Sequence, residues 1–311
     1  MSADVGIEPA ADRAMRRETR RDQIPLAILY MVGAGVVFAG SSAASKMLVA
    51  TIPIGEVLFT RAVFGLLACS LFILPANGLA VFNTRRPGAH AIRGVSQTCS
   101  QSLLLVAFSM MPLASATAIN FSSPLFATLA SVIFLKEAVG VARAGALAVG
   151  FLGVLIVTRP GADTFQAGAL FALANAVLFG TVTAGVRGMT ATESAETLTM
   201  YQLTMLSCVY ALALPLGFLV PTAGEALMMI LNGVGNGLAQ YWWTRALHMA
   251  PTAAVVPFNY LSLVWAVILG FAIWGDTPTL SLLIGSAIVV ASGLFLLWRE
   301  SRRAVVQDDM A

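Results

Sequence analysis

Continuous apolar runs of about 20 residues recur along almost the whole chain, each long enough to cross the roughly 30 Å hydrocarbon slab of a bilayer as a helix. In lipid every backbone N–H and C=O must find its partner inside the protein, which leaves helices or a closed barrel. Barrel strands would alternate polar and apolar residues over segments of roughly ten, and these runs do not alternate. Charge content agrees. Only 11% of the residues are charged, against about 25% in a soluble protein. That shortfall is too large for a buried core and fits an outer surface facing hydrocarbon. The expected fold class is all-α, a polytopic membrane protein. Its ten spans fall at 26–48, 54–75, 91–111, 114–135, 142–159, 168–187, 197–219, 225–247, 253–274 and 280–298.

An even number of spans puts both termini on one side. Fifteen of the 18 Lys and Arg residues fall on that side. They are the five arginines of the N-terminal tail, Arg85, Arg86 and Arg93 between spans 2 and 3, Lys136 and Arg143, Arg187, Arg245, and Arg299, Arg302 and Arg303. The opposite side carries only Lys46 and Arg159, and Arg61 lies within span 2. Short basic loops stay cytoplasmic, so both termini are expected inside the inner membrane of a bacterium. The basic residues form no stripe, so nucleic acid is not an expected partner. Residues 1–25 are polar and mixed in charge and read as a disordered cytoplasmic tail; 300–311 form a second tail. Cys69, Cys99 and Cys208 lie far apart in apolar segments, which disfavours disulfides and zinc. No cofactor or metal is expected.

The segment INFSSPLF at 119–126 sets an asparagine, two serines and a proline inside span 4, and it comes back. Shifted by 139 residues, Pro112 meets Pro251, Asn120 meets Asn259, Phe121 meets Tyr260, Ser123 meets Ser262, Gly94 meets Gly233 and Gln101 meets Gln240. A shift of 140 pairs Glu56 with Glu196, Pro75 with Pro215 and Gly153 with Gly293. The chain is therefore read as two copies of one unit, a first repeat at 26–160 (helices 1–5) and a second at 166–299 (helices 6–10). Five spans is an odd number, so the second copy enters the membrane from the opposite side. Inverted repeats of this kind place a binding site at mid-depth between the halves.

The two halves resemble the paired domains of the drug/metabolite transporter superfamily, EamA type. RPGAHAIRG, PLASATAINFSSPLFATLASVIFLKE, GFLGVLIVTRPG and PTAAVVPFNYLSLVWAVILGFAIWGD carry the resemblance, which covers 26–299. It implies ten helices and transport of small metabolites. Within the family, FNYLSLVWA and the run RPGAHAIRG look closest to the branch of S-adenosylmethionine and riboflavin carriers. The second half departs from the pattern at Leu263, where the first has Pro124.

An unpaired amide in hydrocarbon costs roughly 2–7 kcal/mol, so mid-span polar residues face a partner or a wet cavity. Asn120 and Asn259 either line a substrate path or bond a neighbouring helix. Ser122 and Ser123 can also bond their own backbone, and Pro124 kinks its helix at the cavity. Gln97 and Gln101 in span 3, and Asn236 and Gln240 in span 8, form matching i, i+4 pairs, with Trp243 three residues beyond. Trp242 and Trp243 otherwise sit in the interfacial aromatic belt. Tyr260 and Trp265 are candidates for aromatic walls. Arg61 contacts an anionic substrate group, pairs with Glu56, or snorkels. Gly233, Gly235 and Gly237 read as a helix-packing face, not a nucleotide loop. His90 and His248 are assigned to loop ends. The candidate substrate-binding set is Arg61, Gln97, Gln101, Asn120, Ser123, Asn236, Gln240, Trp243, Asn259, Tyr260 and Trp265.

No carboxylate falls at mid-span, and no G-x-x-x-x-G-K-[ST] loop exists to bind ATP. The expected function is a secondary carrier, not an enzyme, moving a small organic metabolite by alternating access. Uptake of a vitamin or cofactor-type molecule such as riboflavin or S-adenosylmethionine leads. Export of amino acids or drugs and a non-transporting membrane subunit are the alternatives. Its partners are a small-molecule substrate, the lipid bilayer and, as an open option, a second copy in a homodimer.

Overall fold

The computed structural model describes residues 23–84, 86–135, 141–159, 167–189, 192–250 and 252–309. The N-terminal tail, Lys136 and Glu137 lie outside them. Among the described residues the secondary structure is helical, without strands. The helices are α1 (Ile24–Leu48), α2 (Ile54–Asn77), α3 (Pro87–Met110), α4 (Leu113–Asn120), α5 (Ser123–Leu135), α6 (Val141–Thr158), α7 (Gly168–Met189), α8 (Ala195–Ala211), α9 (Ala223–Met249), α10 (Thr252–Asn259), α11 (Leu261–Trp274) and α12 (Leu280–Asp309).

Two corrections to the sequence reading concern boundaries. The fourth and ninth apolar segments are each two helices, broken directly after Asn120 and Asn259. The seventh ends at Ala211, not 219, because the chain turns through a short 3-10 segment at Leu214–Leu216 around Pro215.

Large apolar side chains face outward along the helices, among them Leu29, Leu71, Leu152, Leu170, Leu231, Val264 and Phe271. Arg61, Arg93, Gln97, Asn175, Gln202 and Asn232 are buried. Such an inside-out distribution is what a helical protein surrounded by lipid requires.

The packing is that of an inverted repeat. Helix α1 packs on α9 and on α10–α11; its counterpart α7 packs on α3 and on α4–α5. Counterparts α2 and α8 run antiparallel: Gly55 meets Ala213 at one end, and at the other the Tyr201 hydroxyl donates to the Phe82 carbonyl that follows α2. Counterparts α6 and α12 are antiparallel too, since Gly153 meets Gly285 and Ser292 Oγ bonds the Ala146 carbonyl. A two-fold that reverses helix direction lies across the helices, in the plane of a membrane. The α2–α9 contact is close enough that a Cβ on Gly237 would stand 2.5 Å from Gly65 Cα. This bears out the packing role of that glycine face.

The two ends of the bundle differ. At the end carrying the α1–α2 and α3–α4 turns, one apolar cluster joins both halves through Leu48, Ile52, Val57, Phe108, Met111, Tyr210, Met229 and Ala266. Lys46 braces it, donating to the Met111 carbonyl at 2.6 Å with its ammonium 5.0 Å from the centre of the Trp274 ring. Glu56, buried at the start of α2, accepts from the Leu219 amide. Toward the end carrying the termini, the buried core separates into distinct clusters. One lies between α1, α9 and α10, and another between α2 and α8. A third gathers α5, α6 and α12 around the start of α11.

Candidate substrate cavity

The helix breaks come first, because they shape the cavity wall. After Asn120 the α4 ladder stops, and Ser123 and Pro124 open α5, so the missing proline N–H falls in a first turn where it has no intrahelical partner to lose. Hydroxyls bond carbonyls at and beside the break: Ser122 Oγ donates to the Ile119 carbonyl at 2.6 Å, Ser123 Oγ to that of Asn120, and, inside α5, Thr128 Oγ1 to that of Pro124. The second half repeats this. Ser262 Oγ donates to the Asn259 carbonyl at 2.7 Å, and the second half carries its proline before the break, as Pro257 inside α10, rather than after it. The break therefore survives the change of Pro124 to Leu263. This is why an apolar segment carries INFSSPLF.

A cavity of about 330 Å³ lies between the halves against these breaks. Of the sequence-predicted set it brings together Arg61, Gln97, Gln101, Asn120, Ser123, Asn236, Gln240, Trp243, Asn259 and Tyr260. Trp265 is not among them. Ser262 and Ala266 occupy the inward strip of α11, and Trp265 lies on the outward strip with Leu261, Val264 and Ile268, 39% exposed. Tyr260 contributes its ring, tilted on Phe121 at 4.8 Å, but its hydroxyl is buried against Gly293 with no hydrogen-bond partner among the described residues.

The two asparagines are equivalent in sequence and differ in environment. Asn175 Nδ2 donates to Asn120 Oδ1 at 2.7 Å, and Ser100 Oγ donates to Asn175 Oδ1 at 2.6 Å. The repeat-related positions of Ser100 and Asn175 are Ala239 and Ala34, which offer no polar side chain. Asn259 lines the cavity, and its side-chain amide has no hydrogen bond among the described residues. One amide is held in place by the protein; the other is open to a ligand.

Arg61 is buried and does not pair with Glu56. It donates from Nη2 to Gln101 Oε1 at 2.5 Å. The sequence reading placed Arg93 with the cytoplasmic loop charges; the structure corrects this. It lies in the second turn of α3, 6% exposed, lining the cavity and donating to the Leu198 carbonyl at 3.1 Å and to Gln202 Oε1 at 2.5 Å. Residues 93, 97 and 101 stand four apart and so share one face of α3. His90 is likewise buried, stacked on Tyr201 at 4.2 Å, rather than in a loop.

Sequence reasoning missed Arg93, Ser100, Asn175 and Gln202 as cavity residues, together with Phe38, Phe108 and Phe179. Asn175 carried the same signal as Asn120, an amide mid-way along an apolar run. Arg93 was legible from its four-residue spacing to Gln97. No Asp or Glu lines the cavity, and no His, Cys, Asp and Glu cluster among the described residues has the composition to hold a metal. Aromatic walls with amide and guanidinium edges suit a flat molecule with electron-rich polar edges.

Residues 25–159 and 166–298 each match the model of the EamA-like transporter family. A riboflavin transporter of Rhizobium johnstonii is 32% identical over 88% of this chain and 92% of its own length. An S-adenosylmethionine uptake transporter of Rickettsia bellii is 27% identical over 88% and 96%. A pseudopaline exporter, CntI, of Pseudomonas aeruginosa is 27% identical over 88% and 97%. One solved crystal structure superposes with a TM-score of 0.62 over 88% of this chain and 98% of its own, at 22% identity, and shares the fold.

Proposed function

Because the chain belongs to the EamA-like transporter family, we propose that it is a secondary carrier for uptake of a planar vitamin- or cofactor-type molecule, riboflavin foremost, across a bacterial inner membrane. Both termini are cytoplasmic in this reading, and 26–160 and 166–299 are the two moving halves. The observation that carries the choice of cargo is the composition of the cavity: aromatic rings, amides and guanidiniums without a carboxylate. S-adenosylmethionine carries a sulfonium and an ammonium against one carboxylate, and nothing in this lining would neutralise its two cationic groups; an isoalloxazine ring with carbonyl and nitrogen edges finds donors.

Alternating access follows from the inverted repeat. The end holding the turns is joined across the halves by one large cluster, braced by Lys46 and flanked by a small one at Ala114, Ala118 and Leu282, and the other end is divided into separate clusters. Exchanging the roles of the halves yields the mirrored state. The breaks after Asn120 and Asn259 give each half a point at which backbone geometry changes beside the cargo. One chain's helices complete the cavity, so transport needs no second copy. The test is radiolabelled riboflavin uptake into riboflavin-auxotrophic cells that lack their own carrier. Saturable uptake that survives depletion of ATP supports the reading; no uptake from a well-expressed, membrane-inserted chain overturns it. A second reading, export, rests on the similarity to the pseudopaline exporter, and is favoured if the same cells lose preloaded metabolite faster than controls.

A further inference from the structure

We infer that this cavity holds a subsite for a negatively charged group, a carboxylate or phosphate, at Gln97 between Arg61 and Arg93, so that an anionic relative of the neutral flavin proposed above is the tighter ligand; the inference rests on the cavity being the transport site. Guanidinium groups stay protonated, so both arginines place positive charge inside the bundle. Neither is neutralised there. Arg61 donates to the neutral amide of Gln101, and Arg93 to the amide of Gln202 and the carbonyl of Leu198. Arg93 Nε is buried with no hydrogen-bond partner among the described residues. Arg61 makes one side-chain hydrogen bond to a described residue, and its side chain lines the cavity.

A buried cation is ordinarily tolerated when a counter-charge meets it. No Asp or Glu lines this cavity to supply one. Arg93 and Gln101, the anchor of Arg61, are eight residues apart on α3, about 12 Å along a helix rising 1.5 Å per residue. Gln97 stands midway on the same face. Its amide lines the cavity with no hydrogen bond to any described residue. Two forked cations flanking a free N–H donor make the donor set that binds planar or tetrahedral oxyanions. The missing counter-charge is then brought by the cargo.

Two pairs of probes isolate the charge. Riboflavin and flavin mononucleotide share one ring and differ by a phosphate; nicotinamide and nicotinate differ by a carboxylate. Binding is read as ligand-induced thermal stabilisation of the purified full chain. The anionic member of at least one pair should bind about tenfold or more tightly than its neutral twin. Arg61→Gln and Arg93→Gln should each weaken the anionic member about tenfold more than its neutral twin, removing the advantage. Since Arg93→Gln also loosens α3 from α8, Gln97→Glu provides an independent check. A carboxylate between the two cations should raise the melting temperature of the empty protein and abolish the anion preference.

Failure of the inference and failure of the flavin reading separate cleanly. Stabilisation by riboflavin, with no gain from phosphate, leaves the flavin reading standing and sinks the anionic cargo. Arginine-dependent stabilisation by nicotinate alone supports the anionic cargo and removes the flavin. No stabilisation by either anionic probe, or an anion preference that persists in Gln97→Glu, overturns the inference.

Discussion

Gly180 on α7 lies against the break between α4 and α5, whereas Gly40, an exposed glycine on the counterpart helix α1, faces open space. A Cβ built on Gly180 would stand 2.9 Å from Ala127 N and closer still to the Ser123 carbonyl oxygen, against 3.4–4 Å for ordinary contact. The overlap is at least half an ångström and falls on backbone, which cannot rotate away as a side chain can. Gly180→Ala therefore forces α7 off α5. Overpacking of this kind costs about 1–3 kcal/mol, offset by the roughly 1 kcal/mol that Ala gains over Gly inside a helix. Gly40→Ala collects the propensity gain without the clash. The two variants should differ by about 1–3 kcal/mol, with Gly40→Ala at or above wild type. At roughly 2–4 °C per kcal/mol that is a separation of several degrees in apparent Tm for the detergent-purified chain. Uptake should fall in Gly180→Ala, because the displaced backbone carries Asn120 and Ser123. Equal melting temperatures for the two variants would refute both the contact and the claim that the break is a packed, fixed feature.

The two repeat-related asparagines should also part company. Asn120→Ala leaves buried Asn175 Nδ2 without its acceptor and should destabilise the protein by about 1–3 kcal/mol. Asn259→Ala breaks no bond to a described residue and should leave the melting temperature near wild type, while weakening cargo binding by about 0.5–1.5 kcal/mol, roughly two- to tenfold in Kd. The reverse pattern, measured by melting and cargo titration side by side, would contradict the asymmetry. Trp265→Leu on the outward strip of α11 should leave transport unchanged, and Trp243→Leu on the cavity wall should reduce it; loss of uptake in the former would put Trp265 back among the cargo contacts.

Much of the architecture was legible in the chain itself. Unbroken apolar runs exclude barrels and soluble cores, and a shift of about 140 residues exposes the repeat, so an odd number of spans per half dictates inversion. Mid-span amides had to face a partner or a cavity because hydrocarbon offers neither donor nor acceptor. Ten of the candidate residues accordingly line one cavity. Other features depended on neighbours far away in sequence. A helix apolar on every side has no polar face to report which way it turns, so Trp265 and Trp243 look alike on paper though one faces outward and the other lines the cavity.

The sequence by itself determined that this is an inverted pair of helical units whose polar residues must meet inside. Only the tertiary structure decided that Asn120 is clamped by Asn175 while the Asn259 amide bonds no described residue, and that Arg93 belongs to the cavity rather than to a loop. The reason is physical. Segment length and polarity are properties of local chemistry, whereas the partner each buried group finds is set by how every helix packs against the rest.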